Sequence, residues 1–221
     1  MCPEAKELGI SIPVVNMGVG GEDTNTILGR NGAVPFITSS AFTIPAEEKS
    51  VAIKFVSENG NQVAPLIQGN AGMEFVTIGG VKGVISRSGN GYVFTRSEAG
   101  DPVQISKGTE IITAGSEPYR EYIAVIFNGQ NGGFTGYDEL VEQQKAIINH
   151  QTKNKDKYII IGLHTTTPSC REDLEGLMLE EYGDKYINLR EYMSTDAMKN
   201  ADLTPTQSDI SAMECGNVPP S

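Results

Sequence analysis

The sequence predicts an α/β protein in which a mainly parallel sheet lies between two layers of helices and is interrupted by an inserted antiparallel β module. Three observations predict this class. The apolar run 12–15 ends in a glycine-rich turn over 16–24, and the apolar run 122–127 ends in a similar turn over 128–133. Residues 34–118 differ from both flanks, because they are rich in Val, Ile, Thr and Gly. Apolar strands that alternate with amphipathic helices are typical of a parallel sheet covered on both faces.

The first region, residues 1–33, is predicted to contain a strand at 12–17 followed by a helix. The helix opens at Glu22-Asp23-Thr24, where acidic residues suit the positive end of the helix dipole, and closes near Gly32. The first backbone N–H groups of a helix have no partner within the helix. The turn before this helix is therefore a predicted site for an anion or an oxyanion.

The second region, residues 34–118, is predicted to be a small antiparallel sandwich or barrel. Turn signals stand at Asn59-Gly60 and Gly79-Gly80, and polar and apolar residues alternate over 51–55 and 92–95. Short strands at regular spacing with turns between them indicate such a fold, and no helical period interrupts them. The module is predicted to be an insertion between two strands of the α/β domain.

The third region, residues 119–221, alternates strands and helices. A helix is predicted from about Tyr137, with Thr135 and Asp138 as a capping pair and its apolar residues on one face. Further elements follow in order: a strand at 158–163, a helix from Ser169, a short strand at 186–188, a helix from Leu189 and a last helix near Thr204-Pro205. Residues 1–33 and 119–221 together form one discontinuous α/β domain in this prediction.

Composition excludes several function classes. The net charge is −11, whereas nucleic acids and anionic membranes bind clustered basic faces, so neither partner is predicted. No stretch reaches the roughly 18 apolar residues of a membrane span. The first residues lack the pattern of a signal peptide, which leaves both a cytoplasmic and a secreted protein open. Cys2, Cys170 and Cys215 form neither a disulfide framework nor a zinc motif, so no metal or cofactor is predicted.

Three segments resemble the SGNH/GDSL hydrolase superfamily: the turn over 16–24, Gly129-Gln130-Asn131, and Asp184–Arg190. The resemblance covers 10–33 and 119–221. It implies a flavodoxin-like three-layer α/β/α fold with the strand order 2-1-3-4-5, and the hydrolysis of an acyl ester by a serine nucleophile with a histidine base. It also implies a small-molecule or glycan ester as substrate, such as an O-acetylated carbohydrate, and no cofactor.

The resemblance also implies which residues act. By motif position, Gly21 and Asn131 hold the oxyanion together with the backbone N–H of the nucleophile. Fixed donors at a developing oxyanion are each worth about 10²–10³ in rate. Gly20, Asn128 and His164 are weaker candidates for substrate binding. Each of these residues has a plainer interpretation, because glycine and asparagine are common in turns and a histidine at a strand end is often a hydrogen-bonded loop residue.

The chain departs from the superfamily at both catalytic blocks. It contains no Gly-Asp-Ser, and the residues three before His150 and His164 are both Ile, so neither histidine belongs to an Asp-x-x-His motif. We therefore expect a fragment that lacks nucleophile and base and is inactive alone. In the order 2-1-3-4-5 the missing first strand neighbours the strands at 12–17 and 122–127. Both are expected to lack that partner, which would leave the isolated chain unstable or rearranged.

The sequence also leaves open two alternative sets of catalytic residues. Cys170 stands at a predicted helix start, which can lower the pKa of a thiol, and could pair with His164 as a nucleophile. A small buried cysteine is the commoner case. Glu22 and Asp23 could act as acid and base, although their place before a helix favours a role at the helix start.

A second function class is a non-catalytic binding or structural protein. In that hypothesis the β module contacts a glycan or a protein partner, and the α/β layer is a scaffold. Its candidate contact residues are Phe75, Tyr92 and Phe94, although their alternation with polar residues also fits the core of the module.

Overall fold

A computed structural model describes residues 13–165 and 168–221. The helices are α1 (Thr24–Asn31), α2 (Tyr137–His150), α3 (Pro168–Tyr182), α4 (Leu189–Thr195), α5 (Ala197–Asn200) and α6 (Gln207–Glu214), with a 3-10 turn at Gly183–Lys185. The strands are β1 (Phe36–Thr38), β2 (Phe42–Ile44), β3 (Val51–Ile53), β4 (Phe55–Ser57), β5 (Val76–Ile78), β6 (Val81–Ser88), β7 (Gly91–Arg96), β8 (Val103–Ile105), β9 (Glu110–Ile112), β10 (Ala124–Ile126), β11 (Tyr158–Ile161) and β12 (Tyr186–Ile187).

The larger unit is an antiparallel seven-stranded sheet in the order β3-β7-β6-β5-β9-β1-β4. Only Lys54 separates β3 from β4 along the chain, so the two edges of this sheet meet and the sheet nearly closes into a barrel. Strands β2 and β8 form a separate antiparallel pair. The barrel core contains buried Phe36, Ile44, Ile53, Phe55, Met73, Val76, Ile78, Ile85, Phe94, Ile105 and Ile111.

The smaller unit is a parallel three-stranded sheet in the order β10-β11-β12. One face of it packs against helices in a second core, which contains buried Leu28, Ile126, Leu140, Val141, Ile147, Ile160, Leu174, Met178 and Tyr182. Alternate residues of a strand point to opposite faces. On the other face Ile123, Val125 and Phe127 are 54%, 65% and 45% exposed.

The predicted fold class is wrong. The protein is mostly an antiparallel β structure, because nine of the twelve described strands belong to residues 34–118 and the parallel sheet has only three strands of three, four and two residues. The predicted strands 122–127 and 158–163 form in part, as Ala124–Ile126 and Tyr158–Ile161, but a three-layer parallel sheet also requires neighbouring strands and helices on both faces. Among the described residues, β10 has no neighbouring strand other than β11, and no helix covers the face of β10 on which Val125 is exposed.

The strand predicted at 12–17 does not form over its described part, 13–17. Val14 and Val15 are 61% and 40% exposed, so this apolar run has no sheet to join. Strand β10 lies at an edge, with β11 as its neighbour among the described strands. The expectation that a missing first strand would pair here stays a prediction, because it rests on a strand order of the fold class that is wrong.

Helix α1 forms as predicted and connects the two units. Asp23 is its N-cap, and Gly32 ends it in the left-handed conformation at φ +86°. Leu28 belongs to the second core, whereas Gly29 faces the barrel. A Cβ on Gly29 would come within 2.0 Å of the Phe36 ring, so only glycine lets the helix pack this closely on the barrel.

Candidate functional site

The two glycine-rich turns that the sequence singled out lie against each other. We call Gly18–Asp23 the first turn and Asn128–Gly133 the second turn. Directly after the first turn, the backbone N–H and the Oγ1 hydroxyl of Thr24 donate to the carbonyl of Gly132 at 3.0 and 2.9 Å. Next to it, Nδ2 of Asn25 donates to the carbonyl of Gly133 at 2.9 Å. The start of α1 is thereby fixed to the turn that follows β10.

Gly21 and Asn131, the predicted oxyanion donors, are both exposed and come close together. The Nδ2 amide of Asn131 donates to the carbonyl of Glu22 at 3.2 Å. Gly21 has φ +78°, a conformation that favours glycine, and its backbone N–H has no hydrogen-bond partner among the described residues. The site therefore offers the Gly21 N–H and the second amide hydrogen of Asn131.

The N-terminus of α1 is not the free anion site that the sequence suggested. The Thr24 N–H donates to Gly132, and the Thr26 N–H donates to the Asp23 carboxylate at 2.8 Å. Two of the first three N–H groups of the helix are thus already bonded. The third, that of Asn25, lies against the second turn, because a Cβ built on Gly133 would stand 3.2 Å from its nitrogen.

Glu22 lies in a buried ion pair that was not predicted. Glu22 and Arg30 are 2% and 3% exposed, and Nε and Nη2 of Arg30 donate to Oε2 of Glu22 at 2.8 and 2.5 Å. The other carboxylate oxygen, Oε1, is buried and has no partner among the described residues. Burial raises the pKa of the Glu22 carboxyl, although Arg30 opposes this. Glu22 is therefore an internal anchor and is not exposed as a catalytic carboxylate.

Arg30 extends this anchor to two backbone segments. Its Nη1 donates to the carbonyl of Met17, just before the first turn, and to the carbonyl of Ala71 at 3.3 Å. Ala71 belongs to a segment of the β module, residues 61–73, which we call the covering loop. The ion pair therefore holds the first turn and the covering loop in one arrangement.

The covering loop lies on the first turn through Gln68. A Cβ built on Gly20 would stand 2.6 Å from Oε1 of Gln68, and one built on Gly21 would stand 3.0 Å from its Nε2. The side-chain amide of Gln68 is thus in contact with the turn that carries the candidate donor. No sequence signal identified Gln68, because it lies 47 residues after Gly21 in a different module.

Besides the bond from Arg30 to Ala71, hydrogen bonds tie the covering loop to three parts of the molecule. The Ala64 N–H donates to Oγ1 of Thr26 at 2.9 Å, and the Tyr92 hydroxyl donates to the carbonyl of Pro65 at 3.0 Å. At the far end, the Gly115 N–H donates to the carbonyl of Gly72 at 2.9 Å. The loop is therefore held by α1, by the barrel and by the segment that leaves the barrel.

Asn128 lies beneath the second turn. It is 2% exposed, and its Oδ1 accepts from Nε2 of Gln144, a buried residue of α2, at 3.2 Å. Gln144 also lines a small, partly open cavity of about 10 Å³ between α2, α3 and β11. Asn128 thus occupies a supporting position, and its predicted contact with a substrate stays a prediction.

His164 follows β11 at the carboxyl edge of the parallel sheet, as expected. Its backbone N–H donates to Oε1 of Gln130 at 3.2 Å, and its ring lies 6.3 Å from that of Phe127. Gln130 also donates to the Thr165 hydroxyl. His164 is half-buried and is tied to the second turn one residue from Asn131.

The alternative candidates have different outcomes. The side chain of Cys170 lies outside the described residues, as does Cys2, so the proposed Cys170–His164 pair stays a prediction. In the β module Phe94 is fully buried and Tyr92 is half-buried against Phe55, as expected of core residues. Phe75 is 49% exposed with the Lys82 ammonium 4.4 Å from its ring centroid.

Within 13–165 and 168–221, no group of three or more His, Cys, Asp or Glu side chains is arranged to hold a metal ion. None of the helices in these same residues is both long enough and apolar enough to cross a membrane. No protein-family model, curated protein or solved structure matches the chain.

Proposed function

We propose that this chain is the oxyanion-binding part of a serine ester hydrolase related to the SGNH/GDSL superfamily. The nucleophile and the base would come from segments other than these 221 residues. The substrate would be an acyl ester, either a small molecule or a glycan ester.

The observation that carries the proposal is the hydrogen bond from Asn131 to the carbonyl of Glu22. This bond joins two turns that are 109 residues apart in the chain, and it leaves one amide hydrogen of Asn131 and the Gly21 N–H without a partner among the described residues. Ester hydrolysis develops negative charge on the carbonyl oxygen, and two N–H donors on exposed, fixed turns suit that charge.

The rigidity of the two turns favours the same function. An oxyanion hole accelerates the reaction because its donors need no reorganisation when charge develops. Here the first turn is fixed from below by the Glu22–Arg30 pair and from the side by Gln68, and the second turn is fixed by Thr24 and Asn25. His164 lies next to the second turn, where it could contact the substrate.

The test begins with the DNA on either side of the coding sequence. We expect an in-frame Gly-Asp-Ser upstream and an Asp-x-x-His downstream, and we expect the longer product to hydrolyse p-nitrophenyl acetate while the 221-residue chain does not. In the longer product Asn131→Ala should lower kcat about 10²-fold, the loss found on removing one oxyanion donor. Asn90→Ala, at an exposed turn of the β module, is the matched control and should leave kcat unchanged.

Three results would contradict the proposal. These are flanking sequence without either motif, a longer product without esterase activity, and an Asn131→Ala variant as active as Asn90→Ala. If the 221-residue chain itself turns over the ester and Cys170→Ala abolishes that activity, the thiol alternative replaces the serine mechanism.

A further inference from the structure

An open groove of about 290 Å³ lies on the β module, between the covering loop and strand β6. Its lining includes Leu66, Asn70, Glu74, Ile85, Ser86 and Arg87. We propose that this groove binds a sugar ring, the alcohol part of the ester. The inference rests on the proposed function only in assigning the groove to the leaving-group side of the reaction.

The groove adjoins the candidate oxyanion site through the covering loop. Gly69 also lines the groove, and a Cβ built on it would stand 3.7 Å from Val19 in the first turn. Its chain neighbour Gln68 contacts Gly20 and Gly21. Gln68 and Gly69 therefore lie between the groove and the site, so the two are neighbours separated by this part of the covering loop.

The groove combines an apolar floor with unpaired polar side chains. Leu66 and Ile85 are apolar, and Ile85 is 3% exposed. The side chains of Asn70, Glu74 and Ser86 form no hydrogen bond or ion pair with any described residue. Carboxylate, amide and hydroxyl groups all bind sugar hydroxyls, while an apolar floor receives the C–H face of a ring.

Arg87 completes the polar rim. Its guanidinium forms no ion pair with a described carboxylate and lies 6.0 Å from the Tyr92 ring. It faces the same groove as Glu74, so the two formal charges of the rim cancel. A rim of zero net charge with donors and acceptors on both sides favours a neutral polyhydroxy ligand over an anion or a cation.

Solvent exposure and polarity also separate a sugar from an acyl chain. The groove, of about 290 Å³, is shallow and widely open to solvent, so a ligand bound in it keeps part of its hydration. An acyl chain would need a mainly apolar lining, whereas Asn70, Glu74, Ser86 and Arg87 are polar or charged. The groove therefore fits a sugar unit better than a lipid.

The covering loop presents a fixed wall to the groove. Leu66 has φ +62°, an uncommon conformation for leucine, and its side chain packs against the barrel core. Hydrogen bonds to the loop at Ala64, Pro65 and Gly72 hold it on both sides of Leu66. A wall that is ordered before binding lowers the entropic cost of binding.

The experiment is a titration of the 221-residue chain with methyl β-xylopyranoside and methyl β-glucopyranoside, followed by amide chemical shifts. We expect shifts at Asn70, Ser86 and Arg87. Arg87→Ala and Glu74→Gln should weaken binding about ten-fold, the change expected when one charge-assisted hydrogen bond is lost. Lys107→Ala, on the exposed turn between β8 and β9, is the control and should bind as the wild type does.

The titration measures sugar binding without hydrolysis, so the sugar site and the proposed esterase function can each be contradicted independently of the other. Sugar-dependent shifts in the groove support this inference even if the longer product proves to have no esterase activity. The absence of shifts with both sugars, or equal affinity of Arg87→Ala and wild type, overturns it. If Arg87→Ala does not fold by circular dichroism, Ser86→Ala takes its place in the same comparison.

A second measurement uses the longer product. Arg87→Ala should raise KM about ten-fold for an O-acetylated methyl xyloside and leave KM for ethyl acetate unchanged, because ethyl acetate has no sugar to lose. An equal effect on both esters, or on neither, contradicts the assignment of the groove to the sugar.

Discussion

Among single residues, Glu22 and Arg30 determine most about the site. A buried pair contributes little net stability by itself, because both charges lose their hydration. Removing one partner is costly, since it leaves the other charge buried and unpaired. Here the cost would fall on the first turn and the covering loop together, because Arg30 also bonds the carbonyls of Met17 and Ala71.

We predict that Arg30→Met lowers the free energy of unfolding at pH 7 by about 3–5 kcal/mol. The loss should shrink as the pH falls. Burial raises the pKa of Glu22 in the folded state above its value in the unfolded state. Protonation of Glu22 therefore stabilises the folded state at pH values below the unfolded-state pKa. This stabilisation is lost as the pH rises through the folded-state pKa.

Urea titrations of Arg30→Met and wild type at several pH values measure this effect. Lys49→Met is the control, since Lys49 forms only an exposed pair with Glu47 at 4.0 Å and should change stability little. An Arg30→Met variant that is no less stable than Lys49→Met, or whose deficit grows at low pH, would contradict the role given to the pair.

Among elements, the close packing of the second turn on α1 creates the site. A Cβ on Gly133 would come within 2.8 Å of the Thr24 nitrogen, whereas a Cβ on Gly132 meets nothing within 4 Å. Both glycines have positive φ, at +89° and +75°. Replacing either glycine by alanine therefore causes the same kind of backbone strain, but only the methyl group at position 133 would collide with the helix.

We predict that Gly132→Ala costs about 1–2 kcal/mol through the left-handed conformation alone. Gly133→Ala should cost about 1–3 kcal/mol more, because the added methyl group pushes the turn away from the helix. Thermal unfolding of the two variants measures the difference. Equal melting temperatures would show that the two turns do not pack as closely as described.

Helix capping shows where local patterns misidentify a partner. The sequence suggested Thr135 and Asp138 as the caps of α2, but the N–H and hydroxyl of Thr135 both donate to Glu139 at 2.7 Å. The hydrogen bonds from Thr135 hold the pKa of the Glu139 carboxyl below its usual range. Asp138 and Glu139 are adjacent acidic residues, so spacing alone could not decide between them.

At the scale of the whole molecule, the described residues leave β10 at an edge of the parallel sheet with one face uncovered. Val125 of β10 and the flanking residues Ile123 and Phe127 are all exposed on the face away from the helices. An edge strand with exposed apolar residues is a template for pairing with another chain. The barrel, in contrast, brings its two sheet edges together at Lys54.

We predict that the 221-residue chain self-associates through β10 and that Val125→Lys suppresses this, since a charge on an edge strand opposes pairing. Val125 is 65% exposed, so its replacement should leave the melting temperature nearly unchanged. Sedimentation velocity at several concentrations measures association. Asn90→Lys adds the same charge at a distant turn, and equal effects of both variants would show that only net charge matters.

The features that could be predicted from the sequence are those whose interacting residues lie close together in the chain. Helix α1, its caps and the strands around 122–127 and 158–163 depend on local patterns, and these were predicted. The strand at 12–17 needed a neighbour that no local pattern could supply. Gln68 and Arg30 were missed as parts of the site, because their partners come from other elements.

The sequence by itself determined the β-rich character of residues 34–118, the positions of α1 and α2, and the two glycine-rich turns, because turn chemistry and apolar spacing act over a few residues. Only the tertiary structure decided that antiparallel pairing dominates, that β10 is an edge, and that the covering loop lies on Gly20 and Gly21. The physical reason is that strand order and side-chain contact depend on which distant segments bury each other, and the spacing of residues along one segment carries no information about its partner.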